Sequence, residues 1–198
     1  MEPTTAYPVS FTFDPPDRIA RWRPLLSWLL VIPHAFILYF VQLVASFCVL
    51  IAWFAILFTG ELPEGLARFP VLLLRYQTRV MTYGMFMQEE YPPFEFPSEE
   101  TDVGDYPRLR VDVDAALTHR NRLTTFFRGL LVIPHAIVLG LLGVAAAFVI
   151  FIAFFAVLFT GRWPDGLRDF LVGYVRWLTR LNGYAMLLTD EYPPFSTS

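Results

Sequence analysis

Two pairs of arginines are the residues in this chain best suited to chemistry. Arg75 and Arg79, then Arg176 and Arg180, each frame an R-x-x-T-R pattern in otherwise apolar surroundings. At 100° per residue, Arg68, Arg75, Thr78, Arg79 and Thr82 fall within about 100° of one another on a helix, and Asp169, Arg176, Thr179 and Arg180 form the matching stripe. A planar guanidinium grips phosphate or carboxylate with two hydrogen bonds, so the stripes suit an anionic lipid head group or anionic solute. Plain helix-to-helix salt bridging is the simpler use of the same residues. An arginine facing lipid near mid-bilayer costs about 3 kcal/mol, so in either case all four must find polar company.

The remaining polar candidates offer less. His34 and His135 each follow a proline near the start of a long apolar run. Proton carriage is conceivable there, but no acid or cysteine stands at ligand spacing, so a metal is not expected; a structural imidazole bonding near the proline kink (Pro33, Pro134) is. Glu89, Glu90, Asp190 and Glu191 fall at helix C-termini, where the macrodipole disfavours negative charge, and arginine partners such as Arg21 or Arg23 for Glu90 are expected. No nucleophile accompanies these carboxylates and no phosphate-cradling loop is present, so neither a catalytic site nor a cofactor is expected. Cys48 is alone in mid-run and reads as a small packing residue. A net charge of −3 leaves no nucleic-acid footprint.

The elements that must position these residues are set by hydropathy. The 198 residues are 56% hydrophobic and 17% charged, and the charge is confined to short stretches. Between Arg23 and Glu61 lie 37 uncharged residues, and between Arg128 and Arg162 another 33. Each exceeds the roughly 20 needed to cross a bilayer as a helix. No cleavable leader pattern precedes the first. Before each run comes a short segment of period two, Val9/Phe11/Phe13 against Ser10/Thr12/Asp14 and Leu109/Val111/Val113 against Arg110/Asp112/Asp114, which predicts strands that pair with each other or with a neighbouring subunit. Each long run closes at a T-G-x-x-P-x-G turn (Gly60, Pro63, Gly65; Gly161, Pro164, Gly166) and a second helix follows until E-Y-P-P-F stops it.

Shifting the chain by 101 residues aligns Leu29–Phe94 with Leu130–Phe195 without a gap, 33 of 66 positions being identical. The shared blocks are L-L-V-I-P-H-A, L-F-T-G-x-x-P-x-G-L, R-x-x-T-R and E-Y-P-P-F. In this order and in both halves they resemble the bacterial membrane-protein family known as domain of unknown function 4389. The resemblance implies a membrane address and a repeated unit, and brings no activity with it.

The expected fold is therefore an all-α integral membrane protein of two tandem helical-hairpin repeats, about four membrane helices, with a short extramembrane β-strand before each repeat. The first repeat takes residues 1–97 (strand 8–14, helix 17–58 kinked at Pro33, helix 63–89), a linker 98–106, and the second repeat 107–198 (strand 108–114, helix 118–159 kinked at Pro134, helix 164–190). Whether each second helix spans or floats at the interface is open. Four spans satisfy the positive-inside rule, with Arg18, Arg21, Arg23, Arg108, Arg110, Arg120, Arg122 and Arg128 on one side, the turns on the other, and both termini cytoplasmic at the inner (plasma) membrane. Gly140 and Gly143 slim one face of the second long helix, a packing seam between the two units or between protomers, and a homo-oligomer or a larger membrane complex is the expected assembly. The leading expectation for function is a non-enzymatic membrane scaffold or accessory subunit. An anionic-lipid-binding or solute-transport protein built on Arg75, Arg79, Arg176 and Arg180 is the alternative.

Overall fold

The computed structural model describes residues 7–102, 106 and 108–198, so residues 103–105 of the expected linker lie outside it. The chain is mostly helical. Strand β1 (Val9–Phe13) precedes α1 (Arg23–Thr59) and α2 (Glu64–Gly84); β2 (Leu109–Val113) precedes the short α3 (Arg122–Phe126), α4 (Arg128–Thr160) and α5 (Asp165–Ala185). Helices α1 and α4 are long and apolar enough to cross a membrane, and only 17% of the most apolar window of each is buried. No other helix among the described residues meets that standard.

Local chemistry explains where the helices begin and end. Gly60 and Gly161 close α1 and α4 in the left-handed conformation (φ 79° and 70°), donating their N–H groups to Ile56 and Val157. Beside them Thr59 and Thr160 bond back to the carbonyls of Ala55 and Ala156 and accept the N–H of Glu61 and Arg162. Pro63 and Pro164 stand one residue earlier than a first helical position, as extended N-caps, with Glu64 and Asp165 facing the positive end of the dipole. Gly65 and Gly166 are inside the first turn with open space where a Cβ would sit, so the turn does not depend on them.

Several expected boundaries shift. α1 starts at Arg23 rather than 17, with Pro24 in its first turn, because the N–H groups of Ile19 and Ala20 are spent on Gly161 and Glu89 of other elements. In the second repeat the stretch from 118 is not one helix: Asn121 caps α3, which breaks at Phe127 before α4. The second helices stop at Gly84 and Ala185, short of 89 and 190, because Phe86 and Leu187 adopt positive φ. α1 and α4 stay helical through Pro33 and Pro134.

The strands pair antiparallel with each other, Val9 opposite Val113 and Phe13 opposite Leu109. Their inward residues Val9, Phe11, Leu109, Val111 and Val113 are buried against Val71, Leu74, Val175 and Leu187, while Thr12 and Arg110 are exposed on the outer face. Three layers result: α1 and α4 outermost, α2 and α5 between, and the sheet on the far side.

The two copies interlock head to tail. At one end Ile19 donates to the carbonyl of Gly161 (2.9 Å) and Trp163 to that of Phe86 (3.0 Å); at the other Arg120 donates to Gly60 (2.9 Å) and Leu62 to Leu117 (2.7 Å). Each arginine-rich lead-in thus touches the turn of the other copy. The expectation that turns and lead-ins occupy opposite sides is corrected here, since groups in direct hydrogen bonding share one side.

Candidate functional site

The repeated motifs converge on two centres per copy. The first surrounds the histidines. His34 and His135 are fully buried, and α1 and α4 carry them against E-Y-P-P-F, which starts 56 residues further on in each copy. The His34 ring lies 4.6 Å from Tyr91 and 4.7 Å from Phe94; the His135 ring lies 4.8 Å from Tyr192 and 3.8 Å from Phe195. From the second helix comes Tyr76, whose hydroxyl is 2.6 Å from His34 Nδ1, and Trp177, whose indole N–H donates to His135 Nδ1 at 3.0 Å. An indole only donates, so His135 Nδ1 is the acceptor and its proton resides on Nε2. The histidines therefore bond a side chain of the second helix and not the carbonyl freed by the proline. It is the motif tyrosines that reach main-chain oxygens in the turn before each proline, Tyr91 to Leu30 and Tyr192 to Leu131.

The second centre is the arginine stripe. Arg75 and Arg79 are fully buried between α2 and the sheet. Arg75 donates to the carbonyls of Val111 (2.8 Å), Pro97 (3.0 Å) and Glu100 (2.9 Å), and Arg79 to Asp102 Oδ1 (2.6 Å) beneath the ring of Tyr106. Asp102 also accepts the N–H of Val111, so one carboxylate ties the stripe to β2. Arg176 and Arg180 meet main-chain oxygens of Thr197 (2.9 Å) and Ser198 (2.8 Å), and no carboxylate side chain bridges either among the described residues. Arg180 also faces the ring of Tyr7.

Of the four carboxylates beyond the ends of the second helices, Glu90 and Asp190 meet arginines. Glu89 accepts the N–H of Ala20 (2.5 Å), and its carbonyl accepts from Arg23; Glu90 pairs with Arg108 (3.1 Å) rather than Arg21 or Arg23. In the second copy Asp190 accepts the N–H of Asn121, the counterpart of Ala20, and both Arg120 (2.8 Å) and Arg128 (2.6 Å). Burial pushes the Asp190 carboxyl up, but the bonds from Arg120 and Asn121 and the charges of Arg120 and Arg128 outweigh it and hold the group below the usual carboxylate range. Burial, reinforced by Glu191, raises the Tyr7 phenol well above its ordinary value. Among the described residues no group of three His, Cys, Asp or Glu side chains is placed to hold a metal.

Sequence reasoning missed Asp102, which sits in an irregular segment with no periodic signal, and Tyr76 and Trp177. The latter pair had a trace: the interval from V-I-P-H to R-x-x-T-R to E-Y-P-P-F is constant across the copies, as a shared contact requires.

A duplicated helical chain, with a histidine box and an arginine stripe in each half and two long apolar helices on its surface, defines the class. The model of the family described as domain of unknown function (DUF4389) matches residues 21–95 and 122–197, and the chain belongs to that family as two tandem copies. No curated protein and no solved structure matches it.

Proposed function

We propose that this protein is a membrane-embedded, non-enzymatic scaffold or accessory subunit. It is held in lipid by α1 and α4, and it presents the sheet, the lead-ins and both termini to the cytoplasm. The observation that carries this reading is a division of labour. Large apolar side chains stay exposed along the whole of both helices, among them Phe36 (67%), Phe58 (77%), Leu141 (70%) and Phe159 (69%), while the buried charges are spent on internal bonds. An apolar surface this continuous is what lipid solvates and water does not. The test is a detergent-free carbonate wash followed by affinity purification in mild detergent. Retention in the membrane pellet with co-purifying copies or subunits is the expected result; a lone monomer, or protein in the aqueous fraction, overturns it.

A second reading has its own support in one copy only. Arg176 and Arg180 meet main-chain oxygens and no carboxylate side chain, which leaves them the better candidates for an anionic lipid head group or solute. Native mass spectrometry of Arg176→Gln/Arg180→Gln decides it, since unchanged retention of anionic lipid removes the idea.

A further inference from the structure

Resting on the membrane reading above, we infer that α1 and α4 lie in the plane of the membrane, sunk into the acyl layer of one leaflet, and do not cross it. The geometry begins with the two ends of the molecule. At one end sit the start of α1, the end of α2 and the turn after α4, joined by Ile19 to Gly161, Ala20 to Glu89 and Trp163 to Phe86. At the other sit the end of α1, the start of α4 and the end of α5, joined by Arg120 to Gly60 and Asp190 and by Ala116 to Leu188. The sheet connects the same two ends. β1 leaves from Tyr7, bonded to Glu191, and leads to Ile19; β2 leaves from Arg108, bonded to Glu90, and leads to Ala116. The sheet therefore lies between the same two ends that the long helices join.

If α1 and α4 crossed the bilayer, the two ends would be in opposite aqueous phases and the sheet would stand at mid-membrane depth. Its outer face carries exposed Arg110 and half-buried Asp112, and a two-stranded sheet has open edges, which hydrocarbon does not tolerate. The crossing would also split the arginines, leaving Arg18, Arg21 and Arg23 on one side and Arg120, Arg122 and Arg128 on the other, against the positive-inside rule. Length agrees: 37 residues make about 55 Å of helix against a core of about 30 Å, a tilt of nearly 60° where spanning helices reach about 40°. Laid flat, the same helices expose one apolar face along their length. The lead-in arginines at both ends fall at head-group level, where anionic lipid attracts them, and the sheet is in water.

Single cysteines at exposed positions, Asp14→Cys, Glu61→Cys, Arg162→Cys and Ser198→Cys in a Cys48→Ala background, separate the topologies when labelled with an impermeant maleimide in sealed, oriented vesicles. In-plane helices give all four sites the same sidedness. Labelling of Glu61→Cys and Arg162→Cys from opposite sides means the long helices cross, and labelling of both from the side opposite Asp14→Cys means four spans; either result overturns the proposal. Nitroxides at Phe36→Cys, Phe47→Cys and Phe58→Cys provide a second measure: equal depth is expected, and a profile deepest at Phe47→Cys overturns it. Protein recovered in the aqueous fraction would instead remove the membrane reading itself.

Discussion

The two copies carry the same R-x-x-T-R stripe and bury it differently. In the first, Arg75 and Arg79 are wholly enclosed, and three carbonyls and Asp102 answer them. In the second, Arg176 and Arg180 are half-buried and hydrogen-bond main-chain oxygens, with Arg180 also facing the Tyr7 ring. Duplication preserved the side chains, and the surroundings divided their work: one pair locks the sheet to α2, the other keeps part of its hydrogen-bonding capacity at the surface. Repeated residues therefore need not have repeated roles.

The strongest way to break this comparison is to remove the carboxylate. Asp102→Ala leaves a buried Arg79 without its bridge and is expected to cost about 3–5 kcal/mol in thermal unfolding, whereas Arg176→Ala should cost about 1 kcal/mol or less. Equal losses would dissolve the distinction between the copies.

The helix-end clamps sharpen it next. Asp190→Asn weakens the bonds from Arg120 and Arg128 and should cost about 2 kcal/mol, against less than about 1 kcal/mol for Glu90→Gln at its half-exposed bridge to Arg108. The sign with pH follows from the depressed Asp190 carboxyl. Its contribution is complete above the unfolded value of about 4 and is lost as pH falls through the lower folded value. Unfolding midpoints measured on an acid series should show this limb in the parent and not in Asp190→Asn.

The histidine boxes differ more finely. Trp177→Phe leaves His135 Nδ1 without its donor and should lower stability by about 1–2 kcal/mol, as Tyr76→Phe does at His34. Nitrogen-15 shifts should show His135 protonated on Nε2 in the parent, with that preference relaxed in Trp177→Phe. Smallest is the contrast between turn glycines. A Cβ at Gly161 would stand 3.1 Å from the Ile19 carbonyl oxygen, whereas one at Gly60 meets the flexible end of Arg122 at 3.4 Å. Both positions have positive φ, so Gly60→Ala should cost about 1 kcal/mol and Gly161→Ala somewhat more in the same unfolding assay.

Much of this architecture was legible before any coordinates. The uncharged runs define α1 and α4, period two defines the strands, and T-G followed by proline defines the turns, because each depends on hydropathy or backbone conformation within a few residues. The arginine stripe was legible as a face in need of polar partners. Asp102 was not, since an acid in an irregular segment has no spacing to betray it.

By itself, then, the sequence determined the duplication, the apolar helices, the caps and the demand that buried arginines be satisfied, all of which follow from local chemistry and solvent. Only the tertiary structure decided that each lead-in grips the other copy's turn, that Asp102 answers one stripe and main-chain oxygens the other, and that the sheet lies between the same two ends that the long helices join. Those are choices among partners distant in sequence, and they depend on how two nearly identical units meet.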